Sequence, residues 1–520
     1  MVKIVVLDFG GQTTQLICRR LREGNFYAEI LPHNTAFDVA QSHEVKGIIL
    51  SGSPYSVYEA GSPRPHPSIF ELGVPILGIC YGIQFLIHSQ GGKVHPSQFR
   101  EYGRMKVSII EEPSERSVQL LKFLPRSWQT WMSHGDSIVN LAPGWRVLGT
   151  SQEHPAILEH CEKPWFGFQF HPEVTHSEFG NQLLWNFAEL CSMPREWDVE
   201  TFQRLEQEKV LAQVKDRKVL VLISGGVDSS VAAALLLKTL PPERVHLMYI
   251  DTGFMRLGET EEVTKSLKKL GATQIHIVDA RQRFLAALQG VSEPEEKRRI
   301  IGDTFIQVQE EETAKLGLDG TELLVQGTLY TDLIESGKGV GQSAHTIKTH
   351  HNVSSPLVLE KRNKGLIVEP LSLLYKDEVR AMGRNLGLPQ EVVDRHPFPG
   401  PGLAVRILGE VTEQKLDILR RADSLFIKEL RARGLYEQVW QAFAVLLPVQ
   451  SVGVTGDSRQ YKYVLALRAV NSIDGMSADV YPFPMEHLLS IATLLVNSIP
   501  EIGRVVYDVS SKPPATIEWE

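Results

Sequence analysis

Lys218-Val-Leu-Val-Leu-Ile-Ser-Gly-Gly-Val-Asp-Ser-Ser230 decides how the middle of this chain folds. Val219 to Ile223 form an apolar run of strand length. They pass without a break into the glycine loop 224–230 and then into the apolar, helix-forming stretch Val231 to Leu237. A strand that empties through glycines into a helix N-terminus aims several free backbone N–H groups at one spot, which makes a cradle for an anion. The loop lacks the Gly-Lys-[Ser/Thr] ending of the Walker form. Asp228 and Ser229 taken alone would fit a capped tight turn, because both are good N-caps. At average residue frequencies, however, Ser-Gly-Gly-x-Asp-Ser arises by chance on the order of once in a thousand.

Working outward, strand-like runs recur at Val245 to Ile250, Ile275 to Val278, Leu323 to Val325 and Leu366 to Val368, and helical stretches separate them. Such alternation implies a parallel sheet. Toward the N-terminus, Glu200 to Lys215 reads as a polar helix, and the strand signal stops around Met193-Pro-Arg-Glu-Trp-Asp198. Before that point, Lys3 to Leu7, Gly47 to Leu50 and Pro75 to Ile79 give a separate α/β pattern. Toward the C-terminus, His396-Pro-Phe-Pro-Gly-Pro-Gly402 can be neither helix nor central strand. Beyond it, Val449 to Val454, Tyr463 to Val470, a helix from Met485 to Ile499 and a strand from Arg504 to Val509 suggest a small α+β domain. The expected domains are 1–195, 196–395 and 403–520.

The bulk properties narrow the function classes. At 520 residues the chain is too long for one core. No apolar run approaches the ~18 residues that cross a bilayer, and Met1-Val-Lys-Ile-Val-Val-Leu-Asp8 is too short for a secretory signal. A net charge of −8 argues against a broad nucleic-acid surface. Cys18, Cys80, Cys161 and Cys191 form no close pairs, so neither a structural metal nor a disulfide framework is expected, and a reduced, cytoplasmic setting fits.

Leu77-Gly-Ile-Cys80-Tyr-Gly82 follows a short strand and precedes the helical stretch Ile83 to Ser89. Glycines on both sides allow a tight turn that presents Cys80 at a helix N-terminus, where a thiolate is stabilised. In Phe166-Gly-Phe-Gln-Phe-His171-Pro-Glu173, residues i and i+2 of an extended segment share a face, so Glu173 can orient His171. A lone Gly-x-Cys-x-Gly would more often surround an inert buried cysteine, and a lone His-Pro-Glu a surface turn. Together they give a Cys-His-Glu set for acyl transfer.

On these residues the first ~190 positions closely resemble class I glutamine amidotransferase domains. That resemblance implies attack of Cys80 on the glutamine side chain, an oxyanion held by backbone N–H groups of Gly52 and Tyr81, and a glutamine-holding role for Gln84. Ser51-Gly-Ser-Pro54 carries Ser53 where that family usually has a second glycine. The central loop resembles the PP-loop of ATP pyrophosphatases. It implies ATP binding by Ser224, Gly225, Gly226, Val227, Asp228, Ser229 and Ser230, with Mg²⁺ accompanying ATP through ligands the motif does not specify. Asp251-Thr-Gly253 stands where relatives usually carry Asp-Asn-Gly.

Four further stretches resemble the glutamine-hydrolysing GMP synthetase family: Gly327-Thr-Leu-Tyr-Thr-Asp-Leu-Ile-Glu335, Ile347-Lys-Thr-His-His-Asn352, the Pro/Gly cluster 396–402 and Lys512-Pro-Pro-Ala-Thr-Ile-Glu518. This likeness covers essentially the whole chain. It implies conversion of XMP, ATP and glutamine into GMP, AMP, pyrophosphate and glutamate. Asp332 and Glu335 would lie at the adenylation site, and Lys348 and Thr349 in a lid. Gln441, Arg504, Lys512, Ile517 and Glu518 would contact XMP, and the C-terminal domain would form a homodimer. Ser354 to Gly365 is longer and more basic than the Gly-Gly-Leu-Pro continuation common in bacterial members. The rival reading keeps the chemistry but changes the acceptor, to a deamido-NAD-type substrate.

Overall fold

The structure is a computed structural model of the chain and describes all residues except 39–42, 153, 319–321, 331, 333–360, 456–457 and 473–476. It divides into two compact units. The first holds Met1–Phe202, with Tyr330 packed on it; the second holds Gln203–Leu329 and the described residues from 361 onward. No described helix is long and apolar enough to cross a membrane.

The first unit is built on a nine-stranded sheet. Its strands are β1 (Lys3–Asp8), β2 (Ala28–Pro32), β3 (Val45–Leu50), β4 (Ile76–Ile79), β5 (Lys93–Ile109), β6 (Ser127–Asn140), β7 (Trp145–Ser151), β8 (His154–His160) and β9 (Trp165–Phe168). The order is β2-β1-β3-β4-β9-β8-β7-β5-β6. Pairings from β2 to β9 are parallel, and those from β9 to β6 antiparallel. Ile4, Val5, Val6 and Leu7 are all fully buried, as a strand covered on both faces requires. The long hairpin β5–β6 does not announce itself as an apolar run. β6 alternates buried and exposed positions, with one face toward water.

The second unit contains a wholly parallel five-stranded sheet: β10 (Val219–Ile223), β11 (Val245–Asp251), β12 (Gln274–Asp279), β13 (Leu323–Val325) and β14 (Ile367–Val368). In the order β12-β11-β10-β13-β14, β10 is central. The chain leaves it toward β11 and later returns to its other side with β13. The crevice at the carboxyl end of β10 is therefore a topological switch point, where open α/β sheets bind ligands. The glycine loop starts there.

A second sheet in this unit pairs β15 (Gln441–Thr455) and β16 (Ser458–Asn471) antiparallel, with β17 (Asp479–Val480) antiparallel and β18 (Ile502–Tyr507) parallel to β16. A helix spans Met485–Ser498. One apolar cluster runs from Leu220, Met248 and Phe284 to Leu403, Phe426, Leu465 and Ile502. The Pro/Gly cluster crosses this shared core as a tight corner. Leu403 N–H donates to Phe254 O at 2.8 Å, and a Cβ on Gly402 (φ +65°) would stand 2.4 Å from that oxygen. His396 is buried and stacks on Tyr436, with ring centroids 3.8 Å apart. It accepts from Ala442 N–H at Nδ1 and sits 2.9 Å from Tyr436 O at Nε2. Burial pushes its pKa down to about 4.

Candidate active sites

Cys80 caps the helix Tyr81–Ser89 with φ +52° and ψ −105°, so the backbone strain sits on the cysteine itself. The flanking glycines serve close approach. A Cβ on Gly78 would lie 2.4 Å from Ile83 N, and one on Gly82 would lie 2.3 Å from Leu50 O. Either would push the helix off the sheet. Cys80 N–H donates to Phe168 O at 2.7 Å, tying the elbow to the end of β9, from which the chain continues to His171.

His171 Nδ1 lies 2.7 Å from Glu173 Oε1, and Glu173 is fully buried. Thr13 Oγ1 donates to the same oxygen at 2.6 Å, and Arg20 Nε to the Glu173 carbonyl at 3.0 Å. Burial alone would lower the pKa of His171. The charges of Glu173 and the adjoining Cys80 outweigh it and hold that pKa well above the ordinary 6.5. The imidazole is thus ready to carry a proton beside the thiol.

Gly52 faces this pair: a Cβ placed on it would be 3.1 Å from His171 Cε1 and 3.8 Å from Cys80 Cβ. Its loop is seated by the buried Ser51, whose Oγ accepts Phe9 N–H at 3.1 Å. The Ser53 hydroxyl turns back to accept Tyr55 N–H at 3.3 Å. Tyr81 is buried, with its hydroxyl on Pro63 O at 2.7 Å. Gln84 is also buried, and its amide nitrogen donates to Asp136 O at 3.0 Å and Gln169 Oε1 at 3.3 Å.

In the second unit Gly225 (φ +76°) makes the turn out of β10, and Gly226 is the N-cap of a helix spanning Val227–Thr239. The helix therefore starts four residues earlier than its apolar stretch. Ser224 N–H donates to Ser229 Oγ at 3.2 Å, and Ser230 Oγ to Gly226 O at 2.8 Å. Arg395 braces the loop from outside, donating to Gly225 O at 2.9 Å while paired with the buried Glu259 at 2.9 Å. Asp228 projects from the first helical turn to Lys376, whose Nζ lies 2.7 and 2.6 Å from its two oxygens. Asp251 closes its own turn. Its carboxylate accepts Gly253 N–H at 2.9 Å and the Thr260 hydroxyl at 3.0 Å. A cavity of about 540 Å³ adjoins the loop, reached by Gly225, Ser230, Arg256 and Arg395.

At the C-terminus, Gln441 and Glu518 meet at 2.7 Å, and Glu518 forks onto the wholly buried Arg406 at 3.0 and 2.8 Å. Ile517 is buried beside them, and its carbonyl accepts from the buried Arg468 at 3.0 Å. Lys512 is half-buried and its backbone pairs with Ala478. Arg504 lies on the exposed side of β18, in register with Val464, and no described contact joins it to Glu518. Asp332 is described and half-buried; Glu335, Lys348 and Thr349 lie outside the described residues. Of the basic stretch 354–365, only 361–365 are described. There Lys361 is buried and ion-paired with Glu322 at 2.6 Å.

Residues 5–191 match the family described as glutamine amidotransferase class-I, residues 201–301 NAD synthase, and residues 428–519 the GMP synthase C terminal domain. Curated proteins named GMP synthase [glutamine-hydrolyzing] align over nearly their whole length. That of Aquifex aeolicus is 49% identical, covering 99% of each chain. That of Enterococcus faecalis is 47% identical, covering 100% of this chain and 98% of its own. The chain belongs to the glutamine-hydrolysing GMP synthase family. Among solved structures, a putative GMP synthase protein from Thermoplasma acidophilum aligns at 32% identity over 37% of this chain and 94% of its own, with a TM-score of 0.33.

Several site residues of this synthase family member leave no signal in a single sequence. Thr13 and Arg20 act on Glu173 from more than 150 positions away, and Lys376 reaches Asp228 across 148. Arg406 is one arginine beside the Pro/Gly cluster until the fold places Glu518 on it.

Proposed function

We propose that residues 1–195 release ammonia from glutamine, that residues 196–395 activate XMP with ATP, and that residues 403–520 hold XMP and join two copies of the chain, in the cytoplasm. The overall reaction is XMP + ATP + glutamine + water to GMP + AMP + pyrophosphate + glutamate. The observation that carries this reading is the 2.7 Å His171–Glu173 pair set beside a cysteine in a strained elbow.

In the first half-reaction the Cys80 thiolate attacks the side-chain amide carbon of glutamine. The oxyanion forms between the backbone N–H groups of Gly52 and Tyr81. His171 gives its proton to the departing nitrogen, and the resulting glutamyl thioester is opened by water with His171 now acting as base. Glu173 and Thr13 hold the Nδ1 side of the ring, which leaves Nε2 for this exchange. Gln84, its amide nitrogen already committed, shapes the wall on which glutamine rests.

In the second half-reaction an oxygen of XMP attacks the α-phosphorus of ATP. Pyrophosphate departs onto the loop of Ser224, Gly225, Gly226, Val227, Asp228, Ser229 and Ser230, where the helix N-terminus meets its charge. Ammonia then displaces AMP from the purine carbon, giving GMP. Lys376 exchanges Asp228 for phosphate oxygens as ATP enters. Mg²⁺ brought with ATP neutralises phosphate charge. Asp228 suits it, since such an ion takes one or two carboxylates along with phosphates and keeps several waters. Asp332, Glu335, Lys348 and Thr349 serve the adenylation step, and Gln441, Arg504, Lys512, Ile517 and Glu518 contact XMP.

The test is Cys80→Ala, assayed with XMP, ATP and Mg²⁺. Synthesis from glutamine should vanish while synthesis from ammonium salts persists. Glutamine-dependent GMP formation by this variant would sink the assignment of the nucleophile, and failure of the wild type to make GMP would sink the acceptor.

A further inference from the structure

Strand β6 carries more of the cysteine site than its sequence suggests. Trp131 O accepts His171 N–H at 2.9 Å, Ser133 O stands 3.9 Å from Cys80 Sγ, and Asp136 O accepts from Gln84 at 3.0 Å. Over this same stretch the ladder to β5 is broken. Glu101 pairs with His134 and Pro96 with Asp136, and the register shifts between them. Backbone without a regular ladder needs other partners to keep its place.

His134 supplies them. Its Nδ1 lies 2.9 Å from Asp136 O and its Nε2 3.1 Å from Glu101 Oε2, while Ser151 Oγ donates to the other Glu101 oxygen at 2.9 Å. A carbonyl and a carboxylate only accept, so both ring nitrogens donate and the ring is an imidazolium balanced by Glu101. Side chains of both are 3% exposed. Burial would raise the pKa of Glu101, but bonds from His134 and Ser151 outweigh it and leave that pKa below its ordinary value. For stability alone, apolar residues of the same volume serve as well as a buried ion pair. The pair makes sense where it fixes a backbone position.

We propose that His134, braced by Glu101, is a positioning residue for glutamine hydrolysis: it pins Ser133 to Asp136 of β6 so that their carbonyls meet Cys80 and Gln84. The proposal rests on Cys80 as nucleophile. Neither His134 nor Glu101 touches the reacting atoms. Asp136 is steadied from its side chain as well, by the Tyr58 hydroxyl at 2.9 Å.

The test compares His134→Ala, Glu101→Ala and Glu101→Gln in the full chain. In Glu101→Gln the new amide donates to Nε2 of a neutral ring whose Nδ1–H still reaches Asp136, so the clamp survives without its charge. Both alanine variants should lose roughly tenfold to a hundredfold in glutamine-dependent kcat while ammonia-dependent synthesis is kept. Glu101→Gln should recover most of that loss. If His134→Ala does not fold, His134→Asn, which keeps a donor near Asp136 O but cannot reach Glu101, takes its place. Glutamine-dependent kcat unchanged in the alanine variants would overturn the proposal, as would Glu101→Gln as impaired as Glu101→Ala. Cys80→Ala is run alongside. Should it still use glutamine, the nucleophile assignment fails first, whatever the His134 variants do.

Discussion

Replacing Glu518 by alanine isolates what the C-terminal residues contribute to stability from what they contribute to substrate. Arg406 is wholly buried, with its guanidinium 4.1 Å from the Phe443 ring centroid and 5.1 Å from that of Phe398. Its charge is met by the Glu518 fork at 3.0 and 2.8 Å; the next acid, Asp423, stands 3.9 Å away. Removing one partner of a buried pair leaves the other desolvated and uncompensated, which costs about 3–5 kcal/mol. In a unit of this size that is a fall in Tm on the order of 10 °C. The assay is thermal and urea unfolding followed by circular dichroism, without nucleotide. The double variant Arg406→Met, Glu518→Leu should regain most of the stability, because both charges leave together, but not XMP turnover. A Glu518→Ala protein within about 1 kcal/mol of wild type would refute the reasoning, since a loss that small is typical of exposed pairs. The same geometry changes what deleting residues 512–520 would report. The deletion also strips the Thr516 and Ile517 carbonyls from the buried Arg468, so the truncated chain loses folding as well as XMP.

Three other outcomes follow from the sites. Lys376→Ala should raise the KM for ATP and slow AMP formation with either nitrogen source, yet change stability by less than about 1 kcal/mol, because its pair with Asp228 is part-exposed; normal ATP kinetics would remove Lys376 from the phosphate site. Glu173→Gln deletes the carboxylate that outweighs burial at His171, so the imidazole pKa should drop toward or below 6.5, read by NMR titration; an unmoved value would show that Glu173 does not set it. His396, held neutral with a pKa of about 4 against 6.5 unfolded, binds its proton more readily in the unfolded chain between those values. Stability should therefore fall as pH drops from 6.5 to 4, by about 3 kcal/mol from this group. His396→Gln should flatten that part of the stability profile, and an unchanged slope would count against the assignment.

What could be read in the sequence was what the chemistry needs on adjacent residues. An anion cradle is a strand, a glycine turn and a helix start in succession, so Ser224 to Ser230 sit together; His171 and Glu173 are two apart because an extended segment puts them on one side. Even there the reason for a residue could be misjudged. Gly78 and Gly82 invite a reading as turn residues, whereas the turn's positive φ belongs to Cys80 and the glycines answer to Ile83 and Leu50 across a packed interface. Nothing local distinguishes Thr13, Lys376, Arg395 or Arg406. The chain has 54 Lys and Arg and 62 Asp and Glu, so nearly every basic residue has many acids it could meet, and only topology selects one. The β5–β6 hairpin was hidden for a related reason: one face is wet, and its ladder breaks where His134 and Glu101 take over. The two kinds of feature also differ in how they fail. Changing a motif residue removes a reacting group and should leave the fold standing, as expected of Cys80→Ala. Changing a distant partner leaves a buried charge or carbonyl unmet, so its effect reaches stability or geometry first and chemistry second. Glu518, a motif residue and a buried partner at once, should do both.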